Sequence, residues 1–441
     1  MRVRFESIGC RLNISEIESL ARQFAVAGHQ VVGSGQPADL CVFNSCTVTH
    51  IASRKSRQVI RQLRRANPDA RLVVTGCYAE LSPHEVQALG VDLVVGNDDK
   101  DRLLEMAQEA GLLAGPDPDA AQAAMPNEPL PETHTRAFVK VQDGCDNRCT
   151  FCIITVARGA GRSRAIADVV REIQTLVEMG YREAVLSGVH LGSYGHDWGD
   201  RAGLRHLVQA VLADTGLQRL RLSSLEPWDL EESFFRLWAD PRLCPHLHLP
   251  LQSGCDETLR RMARRTSQAE FSALAGAARA AIPDLNITTD VIVGFPGETD
   301  EEFEASFDFI ERMEFSHLHI FRFSPREGTV AARMPGQVDP RRVQARSQRL
   351  HQLDARQQRA FHRRFLGQEL PVLWETAEPT PGGLLWSGLT PNYLRVFAFS
   401  EGELRNRITP VRLSGLLPGG LMGEMAGAVM ELQIPLEATL G

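Results

Sequence analysis

Short apolar runs alternate with longer amphipathic stretches along the first 338 residues of the chain. In residues 1–112 the apolar runs predict four strands, at 3–8, 39–43, 71–75 and 91–95. The amphipathic stretches predict four helices, at 14–27, 51–66, 83–89 and 100–110. Strands that alternate with helices form a parallel sheet covered on both faces. We therefore predict an α/β protein that begins with a doubly wound, flavodoxin-like domain at 1–112.

The same alternation continues through residues 135–338, where the strand–helix unit repeats about six times. The strands are predicted at 137–141, 183–186, 219–223, 246–249, 287–293 and 317–323. The helices are predicted at 167–179, 204–214, 230–240, 257–264, 269–281 and 300–312. Repeated parallel units of this kind indicate a partial (β/α)6 barrel, whose chemistry belongs on the loops that follow the strands.

Three further segments have other patterns. Residues 113–134 are rich in Ala, Pro, Asp and Glu without periodicity, which predicts a linker. Residues 339–366 predict a basic helical connector. Residues 367–441 predict a small β-barrel from short runs at 372–375, 384–388, 392–399, 408–413 and 422–432. Four aromatic side chains there either stack on nucleic-acid bases or fill the barrel core: Trp374, Trp386, Tyr393 and Phe397.

The composition is that of a globular protein, with 43% hydrophobic and 23% charged residues. The first residues form no apolar signal core, and no apolar run of about eighteen residues predicts a membrane helix. Nine cysteines in 441 residues fit metal binding in a reducing compartment better than a disulfide scaffold. We expect a cytoplasmic protein without membrane association.

The formal net charge of −7 argues against indiscriminate binding of nucleic acid. Two local stretches are nevertheless basic, residues 54–71 and residues 339–366. Each is either a surface for RNA phosphates or a solvated helix face. The candidate RNA contacts are Arg54, Lys55, Arg57, Arg61, Arg64, Arg65, Arg341, Arg342, Arg346 and Arg349.

Three cysteines, Cys145, Cys149 and Cys152, directly follow the strand predicted at 137–141. Three thiolates so close in sequence can hold three irons of a cubane [4Fe–4S] cluster, which leaves the fourth iron open to a ligand. The alternative is a zinc knuckle or a set of core cysteines. Zinc sites usually take four ligands in paired C-x-x-C form, and the sequence offers no partner pair.

A second set of cysteines, Cys10, Cys46 and Cys77, is dispersed along the chain, and each member follows a predicted strand. The carboxyl ends of parallel strands share one edge of a sheet, so these cysteines are expected to meet in one crevice. The sequence therefore predicts a second three-thiolate cluster site; the alternative is three buried cysteines. The remaining cysteines have no matching spacing and are interpreted as core residues: Cys41, Cys244 and Cys255.

The loops after the later barrel strands carry glycines and neutral polar residues, which suit a bound ligand. These candidate positions are Ser187, Gly188, Gln252, Ser253 and Gly294. Glu226 is either a further contact or an acid at a helix start. Three histidines are interpreted as packing or RNA-facing groups: His190, His246 and His248. The last two share one face of a predicted strand, but no third metal ligand accompanies them.

The C-x-x-x-C-x-x-C spacing, with Phe151 before the last cysteine, resembles the signature of the radical S-adenosylmethionine (SAM) enzymes. In that family the open iron binds the amino and carboxylate groups of SAM, and an electron from the cluster cleaves SAM to a 5′-deoxyadenosyl radical. The resemblance implies that Cys145, Cys149 and Cys152 are the catalytic cluster ligands. It also assigns SAM contacts: Phe151 and Gly294 to the adenine, Ser187 and Gly188 to the methionine amino group, and Gln252 and Ser253 to polar groups.

Over nearly the whole chain, the order of elements resembles the methylthiotransferase family of radical SAM enzymes, with a terminal RNA-binding TRAM domain. The sequence is most similar to the tRNA enzymes that act on carbon 2 of N6-threonylcarbamoyladenosine, 3′ of the anticodon. The stretches that carry this resemblance are 9–13, 44–49, 54–58 and 188–195. Ser45 stands where the family pattern has threonine. The resemblance implies two [4Fe–4S] clusters, with the one on Cys10, Cys46 and Cys77 carrying sulfur and a second SAM supplying the methyl group.

The implied partners are the anticodon loop of a tRNA, a reducing electron donor such as a flavodoxin or ferredoxin, and a sulfur donor. We expect a monomer. Two alternatives are related enzymes, one acting on isopentenyl-type adenosine of tRNA and one on an aspartate of a ribosomal protein. A third is not an enzyme: an RNA-binding iron–sulfur sensor.

Overall fold

The computed structural model describes residues 1–113, 135–381 and 383–425. They belong to two compact units, Met1–Gln357 and a second unit that begins at Gln358. The predicted linker at 113–134 lies outside the described residues except for its first position. The predicted boundary between the amino-terminal domain and the barrel thus falls within the first compact unit, and the domain limits stay a prediction.

The first unit begins with a five-stranded parallel sheet in the order β2-β1-β3-β4-β5. Its strands are β1 Arg2–Ser7, β2 Gln30–Val32, β3 Leu40–Ser45, β4 Arg71–Gly76 and β5 Leu93–Val94. Its helices are α1 Arg11–Val26, α2 His50–Ala66, α3 Cys77–Leu81, α4 Pro83–Gln87 and α5 Leu103–Glu109. This strand order is that of flavodoxin-like folds, as predicted. The edge strand β2 was not predicted, because three residues are too few to show a period.

The barrel follows, with six parallel strands in two sheets of three. They are β6 Ala137–Lys140, β9 Glu183–Ser187, β10 Arg219–Leu222, β11 His246–His248, β12 Asn286–Val293 and β13 His317–Arg322; a small hairpin, β7 Gln142–Asp143 and β8 Arg162–Ser163, interrupts the series. Bridges from Leu220 to Leu243 and from Ser224 to His248 join the two sheets. The predicted partial barrel is confirmed.

Helices cover the outside of this barrel. They are α7 Ile166–Glu178, α8 Gly203–Asp214, α9 Asp256–Arg261, α10 Gln268–Ala281, α11 Asp300–Met313 and the part of α12, Pro340–Arg363, that belongs to the first unit. The short helix α6, Ile154–Arg158, packs against α3 instead. The helix predicted at 230–240 is instead a 3-10 helix at Glu232–Ala239. Among the described residues, we find no helix long and apolar enough to cross a membrane.

The barrel strands have one apolar and one polar face. On β10, Leu220 and Leu222 belong to the core that packs against the helices. Side chains alternate across a strand, so Arg219 and Arg221 point to the opposite, inner face. There Arg221 donates to both carboxylate oxygens of Glu183, at 2.9 and 3.3 Å. Both side chains are fully buried, so the inner face holds a desolvated ion pair.

The second unit contains a closed five-stranded barrel, as predicted. Its strands are β14 Glu369–Thr380, β15 Gly383–Leu389, β16 Arg395–Ser400, β17 Ile408–Leu417 and β18 Gly420–Met425. Trp374 and Trp386 lie in its core, and the indole of Trp374 donates to Thr409 at 2.8 Å. Tyr393 and Phe397 are half-buried. Two of the four proposed stacking residues therefore pack the barrel instead. The part of the predicted run 422–432 beyond residue 425 lies outside the described residues.

We predict that Glu183→Ala lowers the free energy of unfolding by about 3–5 kcal/mol, because it removes the carboxylate that compensates the buried charge of Arg221. The control is Arg171→Ala, which removes the exposed ion pair with Asp168. That change should stay within about 1 kcal/mol. Urea denaturation of both variants measures the difference, and equal effects would contradict the prediction.

The same pair predicts a dependence on pH. Burial opposes ionisation of Glu183, but Arg221 outweighs it and lowers the pKa of Glu183 below its ordinary value. The stabilisation is therefore present above the pKa of an unfolded glutamate and is lost as the pH falls through the lower, folded value. The stability gap between wild type and Glu183→Ala should narrow in acid below about pH 4.

Candidate active site

The loop that carries Cys145, Cys149 and Cys152 lies between β7 and β8, and its start is folded tightly against the segment that leads into β8. Gly144 has φ +69°, and a Cβ there would stand 1.9 Å from the carbonyl oxygen of Ala160. Only glycine fits such an approach. The backbone N–H of Cys145 then donates to Gly159 at 3.0 Å. The first cysteine is thus held by backbone geometry that the sequence specifies locally.

The other end of the loop is fixed at Thr150. Its N–H donates to Met262 and its hydroxyl to Arg261, both at 3.0 Å. Its carbonyl accepts the N–H of Ala331 at 2.9 Å. Cys149 and Cys152 flank Thr150, so both lie next to the point where the loop is bonded to the barrel domain.

A buried arginine that sequence reasoning missed lies beside this loop. Arg264 lies 3.8 Å from the Sγ of Cys149 and donates to both carboxylate oxygens of Glu226, at 3.0 and 2.6 Å. Its guanidinium also lies over the ring of Trp228, 4.5 Å from the centroid. The carboxylate of Glu226 is therefore paired with Arg264. No local signal in the sequence pairs Arg264 with Glu226, 38 residues away.

His190 is buried against the cysteine loop. Its ring bonds to Asp229, and the amide of Asn147 lies 3.4 Å from it. Burial alone would lower the pKa of His190, but hydrogen bonds with Asp229 and Cys145 outweigh it and raise the pKa to about 10. The interpretation of His190 as a packing residue fits this burial, and the ring adds a positive charge next to the first cysteine.

The other two histidines lie on the inner face of the barrel. Burial, together with the charge of Arg221, holds the pKa of His246 well below its usual range. His248 bonds to Thr288 at 2.8 Å and to Asp290 at 3.2 Å. Both histidines are buried, in agreement with packing roles.

The predicted SAM contacts gather at the carboxyl ends of the barrel strands. Ser187 ends β9, and the N–H of Gly188 donates to Ser223 at 3.4 Å. Gln252, with φ +73°, exchanges backbone hydrogen bonds with β12. Ser253 follows it and accepts from the N–H of Cys255 at 3.2 Å. These bonds link the end of β9 to the end of β10, and the segment after β11 to β12.

Gly294 also follows β12, and its position has a packing reason. It has φ +76°, and a Cβ there would stand 2.4 Å from Val343 of α12. Its N–H donates to Glu298 at 2.8 Å. Glycine is therefore required here by the close approach of the helix, whether or not a ligand is bound.

A cavity of about 200 Å³ opens beside the cysteine loop. Its walls include Phe151 and Cys152 of the loop and Gln252 of the barrel. Val48 and Thr49, which lie between Cys46 and α2, also line it. A larger cavity, of about 610 Å³, lies at the other edge of that sheet and contains none of the candidate residues. The smaller cavity is therefore lined by residues of both cysteine-bearing parts.

The dispersed cysteines meet at the switch point of the amino-terminal sheet. Cys10 precedes α1 directly, Cys46 follows β3, and Cys77 is the first residue of α3 rather than part of a loop. A Cβ at Gly9 would stand 2.9 Å from the Sγ of Cys46. In this strand order, ligands bind where the sheet reverses between β1 and β3. The structure thus brings Cys10 and Cys46 together there.

Both cysteine triads have the donor chemistry of an iron–sulfur site. Burial above all, together with the neighbouring thiols of each triad, raises the pKa of Cys46 to about 11 and that of Cys152 to about 12. Without a cation these thiols stay protonated; a bound metal favours the thiolate.

Among the described residues, no three His, Cys, Asp or Glu side chains lie close enough to share one metal ion. Each triad supplies three thiols, which are the donors that an iron–sulfur cluster takes.

The basic candidates divide into exposed and paired groups. On α2, four cations are exposed: Arg54, Lys55, Arg61 and Arg65. Two others on α2 have protein partners, Arg57 at Tyr78 and Arg64 at Asp92. On α12, Arg342, Arg346 and Arg349 form ion pairs with acids at or before α11. Arg346 is 4% exposed and offers RNA no surface, whereas Arg341 is exposed. Among these candidates, the four exposed cations of α2 have no acid partner described, whereas those of α12 other than Arg341 are paired with acids.

Two family models match the chain. The Radical SAM superfamily model matches residues 139–310, and the model of the uncharacterized protein family UPF0004 matches residues 2–96. Among solved structures, a radical S-adenosylmethionine methyltransferase, TsrM from Kitasatospora setae, superposes with a TM-score of 0.55 at 16% identity, over 75% of this chain and 74% of that one. This likeness shows the fold.

Curated relatives cover nearly the whole chain. The threonylcarbamoyladenosine tRNA methylthiotransferase MtaB of Bacillus subtilis is 38% identical over 93% of each chain. The Thermotoga maritima protein of the same name is 39% identical over 85% of this chain and 86% of its own. A tRNA-2-methylthio-N(6)-dimethylallyladenosine synthase of Jannaschia sp. is 34% identical over 95% of this chain and 93% of its own. These matches confirm the resemblance to the family over nearly the whole chain. The chain therefore belongs to the radical SAM methylthiotransferase family.

Proposed function

We propose that this enzyme transfers a methylthio group to carbon 2 of N6-threonylcarbamoyladenosine, 3′ of the anticodon in tRNA, with SAM and two [4Fe–4S] clusters. The observation that carries the proposal is the cavity of about 200 Å³. Its lining includes Cys152 of one triad and Val48, two residues after Cys46 of the other. A base in this cavity would contact both cysteine-bearing parts.

Membership of the family implies SAM and a [4Fe–4S] cluster, and we propose that Cys145, Cys149 and Cys152 hold that cluster. The second cluster belongs on Cys10, Cys46 and Cys77. Carbon 2 of adenine carries an unactivated C–H bond that no side chain breaks, so the bound cofactors supply radical chemistry and sulfur. The protein has to hold the base and its cofactors in one orientation and keep water away.

The described side chains suit those tasks. Phe151 packs edge-on against Phe295, with ring centroids 6.5 Å apart, and Phe295 packs against Phe323. This aromatic wall excludes water from the cavity and offers a face for a purine. Arg264 and His190 place positive charge beside the cysteine loop, which stabilises thiolate ligands.

The RNA must present its base outside the stack. Unstacking costs least in a single-stranded loop, which favours the anticodon loop as substrate. The exposed cations of α2 start four residues after His50, at the same end of the sheet as Cys46. They are placed to hold phosphates while the base enters the cavity.

The choice of nucleoside is supported by the relatives that carry the threonylcarbamoyladenosine name, at 38% and 39% identity. The second candidate is an isopentenyl-type adenosine, favoured by relatives named for dimethylallyladenosine at 34% and 36% identity. The proposed electron donor is a flavodoxin or ferredoxin, and a separate sulfur donor restores the second cluster.

The substrate is tested in a strain that lacks the gene. Digested tRNA from that strain should lose 2-methylthio-N6-threonylcarbamoyladenosine and accumulate the nucleoside without the methylthio group. Complementation with wild type should restore the product, and Cys149→Ala should not. Loss of the isopentenyl derivative instead would replace the proposed substrate with the second candidate.

The cluster count is tested by anaerobic iron analysis. We predict about eight irons in the wild type and about four in Cys46→Ala, because only one triad loses a ligand. Cys41→Ala is the matched control, since Cys41 is a buried thiol on the strand that precedes Cys46. It should keep about eight irons. Equal iron counts in wild type and Cys46→Ala would contradict the proposal of a second cluster.

The RNA surface is tested by replacing Arg54, Lys55, Arg61 and Arg65 together with glutamine. We predict weaker binding of tRNA, and a salt dependence whose slope falls by about one unit for each phosphate that the variant no longer neutralises. Arg349→Gln is the control, because this arginine already pairs with Glu304. An unchanged salt dependence in the fourfold variant would exclude α2 as the RNA surface.

A further inference from the structure

A cluster of buried charges joins the amino-terminal sheet to the barrel. Glu16 of α1 is 5% exposed and accepts hydrogen bonds from Arg158 of α6 at 2.8 and 3.3 Å. It also accepts from Lys100 at 2.6 Å. Arg158 and Lys100 are 2% and 1% exposed. The three side chains come from segments far apart in sequence, so only the packed protein creates the cluster.

One guanidinium in this cluster reaches toward both cysteine triads. On the barrel side, Arg158 donates to Asp143 at 2.9 Å, and Asp143 also accepts the N–H of Gly144, the residue before Cys145. On the other side, Arg158 donates to the side-chain oxygen of Asn13 at 2.9 Å. Arg158 therefore bonds directly to a residue near each triad.

Asn13 completes the link to the dispersed cysteines. Its amide donates to the carbonyl of Ser45 at 3.0 Å and to that of Ile8 at 2.9 Å. Ser45 precedes Cys46, and Ile8 lies two residues before Cys10. The side-chain oxygen of Asn13 also lies 3.6 Å from the Sγ of Cys10. A displacement of Arg158 would thus shift the backbone beside two of the three cysteines.

The amino-terminal sheet and the barrel are also held together by contacts outside this cluster. Asn97 donates to the carbonyl of Ala157 at 2.6 Å, and exposed Arg162 pairs with Asp98 at 3.0 Å. Both contacts join the same two parts without touching a cysteine loop. Buried ion pairs contribute little net stability, because desolvation offsets their attraction. Their planar, bidentate geometry does fix orientation.

We propose that Arg158 is a positioning residue that sets the separation and orientation of the two cysteine triads, through Asp143 on one side and Asn13 on the other. This inference rests on the proposed two-cluster function. Transfer of sulfur to one base needs both centres in register, and an error of about 1 Å can reduce a rate by about a hundredfold. SAM cleavage needs only the triad of the barrel, so loss of register should separate cleavage from product formation.

The test compares Arg158→Gln, Arg158→Lys and wild type, each reconstituted anaerobically. Arg162→Gln is the matched control: it removes an arginine that joins the same parts, from the same stretch of chain, but in solvent. Three quantities are measured: iron content, the magnetic interaction between the two reduced clusters by pulsed EPR, and the ratio of 5′-deoxyadenosine to methylthiolated nucleoside.

We expect Arg158→Gln to keep its iron, to change the interaction between the clusters, and to raise the ratio by about tenfold to a hundredfold. Arg158→Lys keeps the charge but loses the bidentate geometry, so its ratio should lie between those of wild type and Arg158→Gln. Arg162→Gln should match wild type in all three quantities. Wild-type interaction and ratio in an iron-replete Arg158→Gln would overturn the proposal.

Asn13→Ala keeps the pair of Arg158 with Glu16 but removes the bond from Arg158 to Asn13 and the bonds from Asn13 to Ser45 and Ile8. It replaces Arg158→Gln in the test if that variant does not fold. A wild-type ratio and interaction in iron-replete Asn13→Ala would overturn the proposal, and a raised ratio with an altered interaction would support it. Failure of the proposed function has a different signature: the wild type itself would then hold about four irons or form no product.

Discussion

The buried ion pair between Glu16 and Arg158 constrains how the amino-terminal sheet packs against the barrel, and the cavity between the cysteine-bearing parts depends on that packing. It forms only when α1 of the sheet faces α6 of the barrel, because each charge needs the other once water is excluded. The cavity between the cysteine-bearing parts is lined from both sides. The site is therefore a property of how two sheets pack, and neither sheet contains it alone.

A second constraint is the division of the barrel strands into two faces. Leucine and valine side chains on the outer face pack against the helices and supply the stability of the barrel. The inner face holds polar groups instead, among them the Glu183–Arg221 pair and the pair of His248 with Asp290. Gln252 and Ser253 follow where β11 ends. Polar contacts for a ligand thus leave the packing of the barrel core intact.

Much of this was predictable from the sequence, because it depends on local pattern. The period of apolar residues indicated the strands, and cysteines directly after strands indicated both triads. Ion-pair partners were not predictable, because tertiary packing selects them. Arg342, Arg346 and Arg349 look like free cations on a helix until Glu298, Asp300 and Glu304 are placed beside them. Arg158 and Arg264 have no local signal for the same reason, and the resemblance to a family supplied the SAM contacts.

The two triads differ in how their members are spread along the chain, and this bears on how the enzyme is assembled. Cys145 to Cys152 lie within one loop, so closing it around metal costs little chain entropy. Cys10, Cys46 and Cys77 meet only after β1, β3 and β4 have paired. In the proposed two-cluster enzyme, metal loading at the first triad can accompany local folding, whereas loading at the second must wait for the finished sheet. Metal loading at Cys10, Cys46 and Cys77 would then show that the amino-terminal sheet has folded.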